Sequence, residues 1–145
     1  MKPYVSTNLK RHGDSQTVVQ VAFLGMAVAY YVAAKQTTEP LMPANVYGEW
    51  VVSFPAEWWA ISLMFASALF LAGIRINGHW RWSPALRFAG AGWHFITLTA
   101  FCVGASGAAD GDFFMLSTGT FAIVHFVFLW WNARDLAAAI GRGHE

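Results

Sequence analysis

Four long apolar runs occupy most of this 145-residue chain, and the polar segments between them alternate in charge. The runs cover about residues 17–34, 58–76, 84–109 and 113–133. A helix rises about 1.5 Å per residue, so about 20 residues are needed to cross the apolar core of a bilayer. Each run is close to that length. We therefore predict an all-α integral membrane protein, a four-transmembrane-helix up-down bundle forming a single domain over residues 1–145.

The basic residues set the predicted orientation of this bundle. Eight of the nine fall in the two terminal segments and the second loop: Lys2, Lys10, Arg11, Arg75, Arg81, Arg87, Arg134 and Arg142. The first and third loops contain only Lys35, but they hold the acidic residues Glu39, Glu49, Glu57, Asp110 and Asp112. Because cytoplasmic loops are enriched in lysine and arginine, both termini are predicted to be cytoplasmic. The expected location is a bacterial-type inner (plasma) membrane.

Composition excludes several classes of function. A soluble protein with 57% hydrophobic and 12% charged residues would expose large apolar patches. The basic residues are spread over three short segments, so a nucleic-acid partner is not expected. The chain has one cysteine, Cys102, and no glycine-rich phosphate loop or nucleophile–base motif. We predict no catalytic residue, no metal site and no independent enzyme activity.

Two histidines inside the apolar runs are the main candidate site residues. His94 lies fifteen residues before Ala109, and His125 lies twelve residues after Phe113, so antiparallel helices place them at similar depth. Ionisable groups are costly inside a bilayer. The pair could be axial ligands of one haem, bind chlorophyll-type pigments singly, or relay protons. The favoured interpretation is structural, with each imidazole hydrogen-bonded to a neighbouring helix.

Small residues form two predicted packing faces. Gly25 and Ala29 lie on a stripe of the first helix with Ala22 and Ala33, and Gly90 and Gly92 open the third helix. Small residues allow helix backbones to approach closely. A four-helix protein of this size also has little interior, so most of its surface must contact lipid or partners. The expected partners are the lipid bilayer and other membrane proteins or further copies of this chain.

Tryptophans are predicted to anchor the protein at both membrane surfaces, where their amphipathic rings are favoured. The outer loop, residues 35–57, contains three prolines and is predicted to lie along the headgroups. The predicted outer anchors are Trp50, Trp58 and Trp59, and the inner anchors are Trp80, Trp82, Trp130 and Trp131.

One segment carries a family resemblance. It consists of Ile76-Asn77-Gly78, then Trp80-Arg81-Trp82-Ser83-Pro84, then Leu86-Arg87 and His94. Residues 76–94 in this pattern resemble the middle of small uncharacterised membrane proteins encoded by bacteriophages. The resemblance implies a phage-encoded inner-membrane protein, holin-like or part of a virion or takeover complex. It implies no catalytic role for any residue.

Three functions are compatible with the sequence, and each makes a different structural demand. The leading hypothesis is a small accessory or binding subunit, which should lose its partner when Gly25 or Gly90 is made bulky. A haem- or pigment-binding redox subunit needs His94 and His125 to face a space wide enough for a flat ring. A holin-like or channel-forming oligomer needs a continuous polar stripe, and the hydroxyls inside the runs are few and scattered.

Overall fold

The computed structural model describes residues 7–37, 42–77, 79–80 and 82–141, with only the backbone described for residues 7–11 and Trp50. The described residues form six helices. They are α1 (Thr7–Gln36), α2 (Ala44–Tyr47), α3 (Glu49–Val52), α4 (Ala56–Arg75), α5 (Ser83–Ser106) and α6 (Asp112–Gly141). Four of these, α1, α4, α5 and α6, are long and apolar enough to cross a membrane. The prediction of an all-helical chain with four long apolar helices is confirmed.

The first and last long helices, α1 and α6, are longer than predicted. α1 begins at Thr7 instead of about residue 17, and α6 continues to Gly141 instead of ending at about residue 133. Both extensions lack proline, and the first turns of α1 reach α6, where the His12 ring stacks on Trp131 with centroids 4.6 Å apart. Apolar runs mark the part of a helix that suits lipid, whereas polar turns can continue the same helix beyond it. The bounds of α4 and α5 differ from the predicted 58–76 and 84–109 by one to three residues.

The long helices run alternately up and down. α5 packs against both α4 and α6, and α1 packs mainly against α4. Phe23 of α1 also meets Phe121 of α6, so α1 closes the bundle beside α6. Lys35 near the end of α1 forms an ion pair of 3.2 Å with Glu57 at the start of α4, as antiparallel neighbours require.

The two ends of the bundle differ in charge. We call the end where α1 and α5 begin the basic end and the opposite end the acidic end. Among residues with described side chains, the basic end carries Arg75, Arg87 and Arg134 against Asp14 and Asp135, and the acidic end carries Glu49, Glu57, Asp110 and Asp112 against Lys35. The side chains of Lys2, Lys10, Arg11, Arg81 and Arg142 lie outside the described part of the chain. The side of the membrane that each end faces stays a prediction.

Part of the segment predicted to be the outer loop folds onto the acidic end. α2 and α3 lie within the predicted loop 35–57, and Val51 is fully buried in a cluster with Met42 and Phe101. Gly48 joins the two short helices with φ of +79°, and a Cβ there would lie 2.5 Å from the Gly104 carbonyl oxygen. A glycine is required there because the conformation is left-handed and the backbone of α5 is close.

Gly90 allows α4 and α5 to pack in close contact. A Cβ on Gly90 would lie 2.7 Å from the Ala66 carbonyl oxygen and 2.9 Å from the Phe70 Cβ. A Cβ on Gly92 would lie 3.5 Å from the Leu129 Cδ1 on α6, which is an ordinary van der Waals distance. The predicted packing face on α5 is therefore used inside the bundle, with Gly90 at its tightest point.

Candidate functional site

His94 and His125 are in direct contact at the centre of the bundle. Their ring centroids lie 4.6 Å apart with an angle of 44° between the planes, and neither residue is exposed. α5 and α6 are antiparallel neighbours, so the similar depth expected from the sequence brings the two rings together. The two histidines therefore form one candidate site.

Each ring is hydrogen-bonded to a further helix. The Nε2 atom of His94 lies 3.0 Å from Ser67 Oγ on α4, and the Nε2 atom of His125 lies 3.2 Å from Gln20 Nε2 on α1. The Nδ1 atom of His125 lies 2.9 Å from the Phe121 carbonyl oxygen. A carbonyl only accepts, so Nδ1 of His125 carries the proton. Its Nε2 then accepts a hydrogen bond from the Gln20 amide.

We call Gln20, Ser67, His94 and His125 the polar centre. Each of the four long helices contributes one of these residues, and all four side chains are fully buried. The Phe23 ring packs edge-on against both imidazoles, with centroids 5.2 Å from His94 and 4.7 Å from His125. In an apolar surrounding, such side-chain hydrogen bonds hold helices together, because separating them would leave polar groups unsatisfied. The polar centre therefore joins all four helices.

Polar side chains continue from the polar centre towards the basic end. Arg87 lies seven residues before His94, and its Nη2 forms an ion pair of 3.3 Å with Asp135 Oδ2. The two side chains are 0% and 5% exposed. Asn132 lies seven residues after His125, and Gln16 lies four residues before Gln20; both are fully buried. These residues extend the buried polar groups through one half of the bundle.

Sequence reasoning missed most of this polar interior. It treated Arg87 as a loop cation that sets orientation and did not single out Ser67 or Gln20. The available signal was spacing: Arg87 and His94 are seven residues apart, which places them on one face of a helix. Gln16 and Gln20, four residues apart, carry the same signal on α1.

The interior of the other half is mainly apolar. Towards the acidic end the buried side chains include Ala27, Leu98, Phe101 and Ala105. Thr97 and Thr118 are buried there as well, and the Oγ1 atom of Thr118 donates to the Phe114 carbonyl oxygen of its own helix at 2.7 Å. The continuous run of buried polar side chains therefore extends from the polar centre to the basic end only.

The histidine pair does not fit a haem held between its two rings. An imidazole–metal bond is about 2 Å long, so two axial imidazoles place their ring centres about 6 Å apart with the macrocycle between them. The observed separation is 4.6 Å, and both Nε2 atoms face protein partners. A chlorophyll-type pigment needs one accessible imidazole, and both rings are fully buried. Within the described part of the chain, the rings of His94 and His125 contact each other and are hydrogen-bonded to neighbouring helices.

The polar centre holds two side chains of a kind that commonly ligate metal ions, His94 and His125. Among the described residues, no three histidine, cysteine or carboxylate side chains lie close enough together to hold a metal ion. Tight structural zinc sites use four such ligands. The polar centre supplies two imidazoles, one amide and one hydroxyl.

The packing stripe of α1 points away from the bundle. Ala22, Gly25 and Ala29 are exposed, and a Cβ added to Gly25 would meet nothing within 4 Å. Gly25 and Gly90 thus differ, although the sequence treats them alike. Gly90 packs against α4, whereas nothing among the described residues packs against α1 at Gly25.

The predicted tryptophan anchors lie near both ends of the bundle. Trp58, Trp80, Trp82 and Trp130 are exposed. Trp59 and Trp131 are partly buried, and the Trp59 Nε1 donates to the Val51 carbonyl oxygen at 3.0 Å. The side chain of Trp50 lies outside the described part of the chain.

Comparison with known proteins adds no family to this picture. The resemblance of residues 76–94 to small phage membrane proteins stays a prediction, and Gly78 and Arg81 of that segment lie outside the described residues. The fold rests on the helices and contacts of this chain alone. No family model, no curated protein and no solved structure matches the chain.

Proposed function

We propose that this chain is a small accessory or binding subunit of a bacterial-type inner membrane. In this proposal it packs through the outward face of α1 against a partner membrane protein or a second copy of itself. The observation that carries the proposal is the open surface at Gly25, where an added Cβ would meet nothing within 4 Å.

The shape of the α1 face supports helix packing. Val18, Gly25 and Val32 recur every seven residues, with Ala22 and Ala29 between them, and all five are exposed. Val18 is 69% exposed. Stripes of small and β-branched residues form a smooth surface on which a second transmembrane helix gains close van der Waals contact.

The interior of the bundle offers less for the alternative functions. The Nε2 atoms of both histidines are held by Gln20 and Ser67, which argues against a cofactor between the rings, while His94 Nδ1 and Gln20 Oε1 have no partner among the described residues. A channel within one chain would need polar groups along the whole bundle, and the acidic half buries apolar side chains such as Leu98 and Phe101. A holin-like pore built from several copies would need an outward polar stripe, whereas the outward face of α1 is apolar.

The proposed orientation follows from charge. The basic end would face the cytoplasm and the acidic end the outside, with both termini inside, since lysine and arginine accumulate on the cytoplasmic side. A cysteine-accessibility measurement in intact cells tests this orientation. Ser53→Cys, near the acidic end, should react with an impermeant maleimide in the Cys102→Ala background, and Arg134→Cys at the basic end should not.

A photo-crosslinking experiment in native membranes tests the packing face. A photoreactive amino acid at Val21, exposed on the α1 face, should give a discrete crosslinked product, identified by mass spectrometry as one membrane protein or as a second copy. Gly25→Leu should abolish that product because the larger side chain holds the partner helix away. Ala68→Leu, the same kind of enlargement at an exposed position of α4, is the matched control and should leave the product intact.

The proposal fails if Gly25→Leu and Ala68→Leu give the same crosslinked product in the same yield. A product formed equally from Val21 and from Ile123, which is exposed on α6, would indicate random collision and would also contradict the proposal. Circular dichroism of the purified variants shows whether each one keeps its helices.

A further inference from the structure

A groove between α1 and α4 lies at the basic end of the bundle. Its volume is about 500 Å³, and it is lined by Thr17, Leu71, Ala72, Ile74 and Arg75. That volume falls within the range of small-molecule sites in proteins. The groove is separate from the polar centre and is no part of the proposed α1 packing face.

The groove combines an apolar wall with one cation. Leu71, Ala72 and Ile74 of α4 form the wall, and the Thr17 hydroxyl already donates to the Gly13 carbonyl oxygen of its own helix at 2.7 Å. Arg75 is the last residue of α4 and is exposed. In the described part of the chain it forms no ion pair, whereas Lys35 and Arg87 each have a carboxylate partner.

The position of Arg75 matches the depth of lipid headgroups. It ends a helix that is long and apolar enough to span a membrane, and the wall residues precede it by one turn. Acyl chains would run along the wall and the headgroup would lie at the helix end. A guanidinium binds phosphate through two parallel hydrogen bonds, and basic pockets between transmembrane helices attract anionic headgroups.

From this combination we propose that the α1–α4 groove binds one anionic phospholipid. An acyl chain packs against Leu71, Ala72 and Ile74, and the phosphate is held by Arg75. The occupant is a lipid because an apolar wall and a cation occur together at the membrane surface. This site goes beyond the proposed packing function and is independent of Gly25.

Native mass spectrometry of the full-length protein in detergent tests the site. The protein is incubated with equal amounts of phosphatidylglycerol and phosphatidylcholine that carry the same acyl chains. We expect the wild-type protein to retain one phosphatidylglycerol in preference. Arg75→Gln should reduce that preference about fivefold, the effect of one basic residue near anionic headgroups. Ala72→Phe should fill the groove and abolish retention of both lipids.

Arg134→Gln is the matched control, because it removes an exposed charge from the same end of the bundle without touching the groove. It should keep the wild-type preference. Equal lipid preference in the wild-type, Arg75→Gln and Arg134→Gln proteins would overturn the proposal. Displacement of the lipid by millimolar inorganic phosphate would also overturn it, by showing a phosphate-ion site. A lipid-free dimer that dissociates in the Ala72→Phe variant would also overturn the proposal, because it would show that a second copy fills the groove.

Discussion

The imidazole rings of His94 and His125 lie 4.6 Å apart, and each is hydrogen-bonded to a different helix of the bundle. Through Ser67 and Gln20 this contact brings one polar side chain from each long helix to a single point. A bilayer provides no hydrophobic driving force between apolar helices, so such contacts specify which helices meet and in which register. A structural role therefore accounts for both Nε2 atoms of the pair, while the Nδ1 atom of His94 has no partner among the described residues.

The hydrogen bond between Gln20 and His125 should couple α1 to α6. We expect Gln20→Ala and His125→Ala each to lower the unfolding free energy by about 1 kcal/mol, with a coupling energy of about 0.6 kcal/mol between them. A double-mutant cycle measured by unfolding in mixed micelles gives these values. Thr120→Ala is the control, because its hydroxyl is exposed and bonds within α6. Strictly additive effects of the two changes would contradict the coupling.

The buried pair of Arg87 and Asp135 should be sensitive to removal of one partner. Arg87→Leu leaves the Asp135 carboxylate buried without this cation, so we expect a loss of about 3–5 kcal/mol in unfolding free energy. The double variant Arg87→Leu with Asp135→Leu should recover most of this loss, since neither charge of the pair is then left buried without the other. The same unfolding assay measures both effects.

Arg134→Gln provides the comparison for the ion pair, because Arg134 neighbours Asp135 in sequence but is exposed. It should change the unfolding free energy by less than about 0.5 kcal/mol. If Arg87→Leu were no more destabilising than Arg134→Gln, the buried ion pair would not contribute to stability.

Alanine substitutions at Gly90 and Gly25 should differ in their effect on stability. At Gly90 the new Cβ would clash with the Ala66 carbonyl oxygen, and a backbone atom can move little, so we expect destabilisation of about 1–3 kcal/mol. At Gly25 the methyl group meets nothing, and the higher helix propensity of alanine should leave stability unchanged or raise it by up to about 1 kcal/mol. Thermal unfolding in one detergent compares the two. Equal destabilisation would contradict the packing described for both glycines.

The sequence predicted the long helices well because a bilayer imposes a minimum length on apolar runs. It also predicted the shared depth of His94 and His125, which follows from counting residues along antiparallel helices. It could not distinguish Gly25 from Gly90. In a membrane protein both the inward and the outward faces of a helix are apolar, so a stripe of small residues does not reveal which face meets a neighbour.

The ion pair of Arg87 and Asp135 was not predicted for a related reason. Both residues lie near helix ends, where charges usually mark the membrane surface, and their burial depends on how α5 and α6 pack. Polar residues spaced by seven are visible in the sequences of α5 and α6. Whether they face the interior can be seen only when the arrangement of the helices is known. The start of α1 at Thr7 was missed because apolar length alone defined the predicted helix.

A visible absorption spectrum tests the structural role of the histidine pair most directly. The protein is purified in mild detergent from cells supplied with a haem precursor, and spectra are recorded oxidised and reduced. With the rings in contact and their Nε2 atoms bonded to Ser67 and Gln20, we predict no Soret band. A Soret band in the wild-type protein that disappears in both His94→Ala and His125→Ala would contradict this account and identify the two histidines as haem ligands.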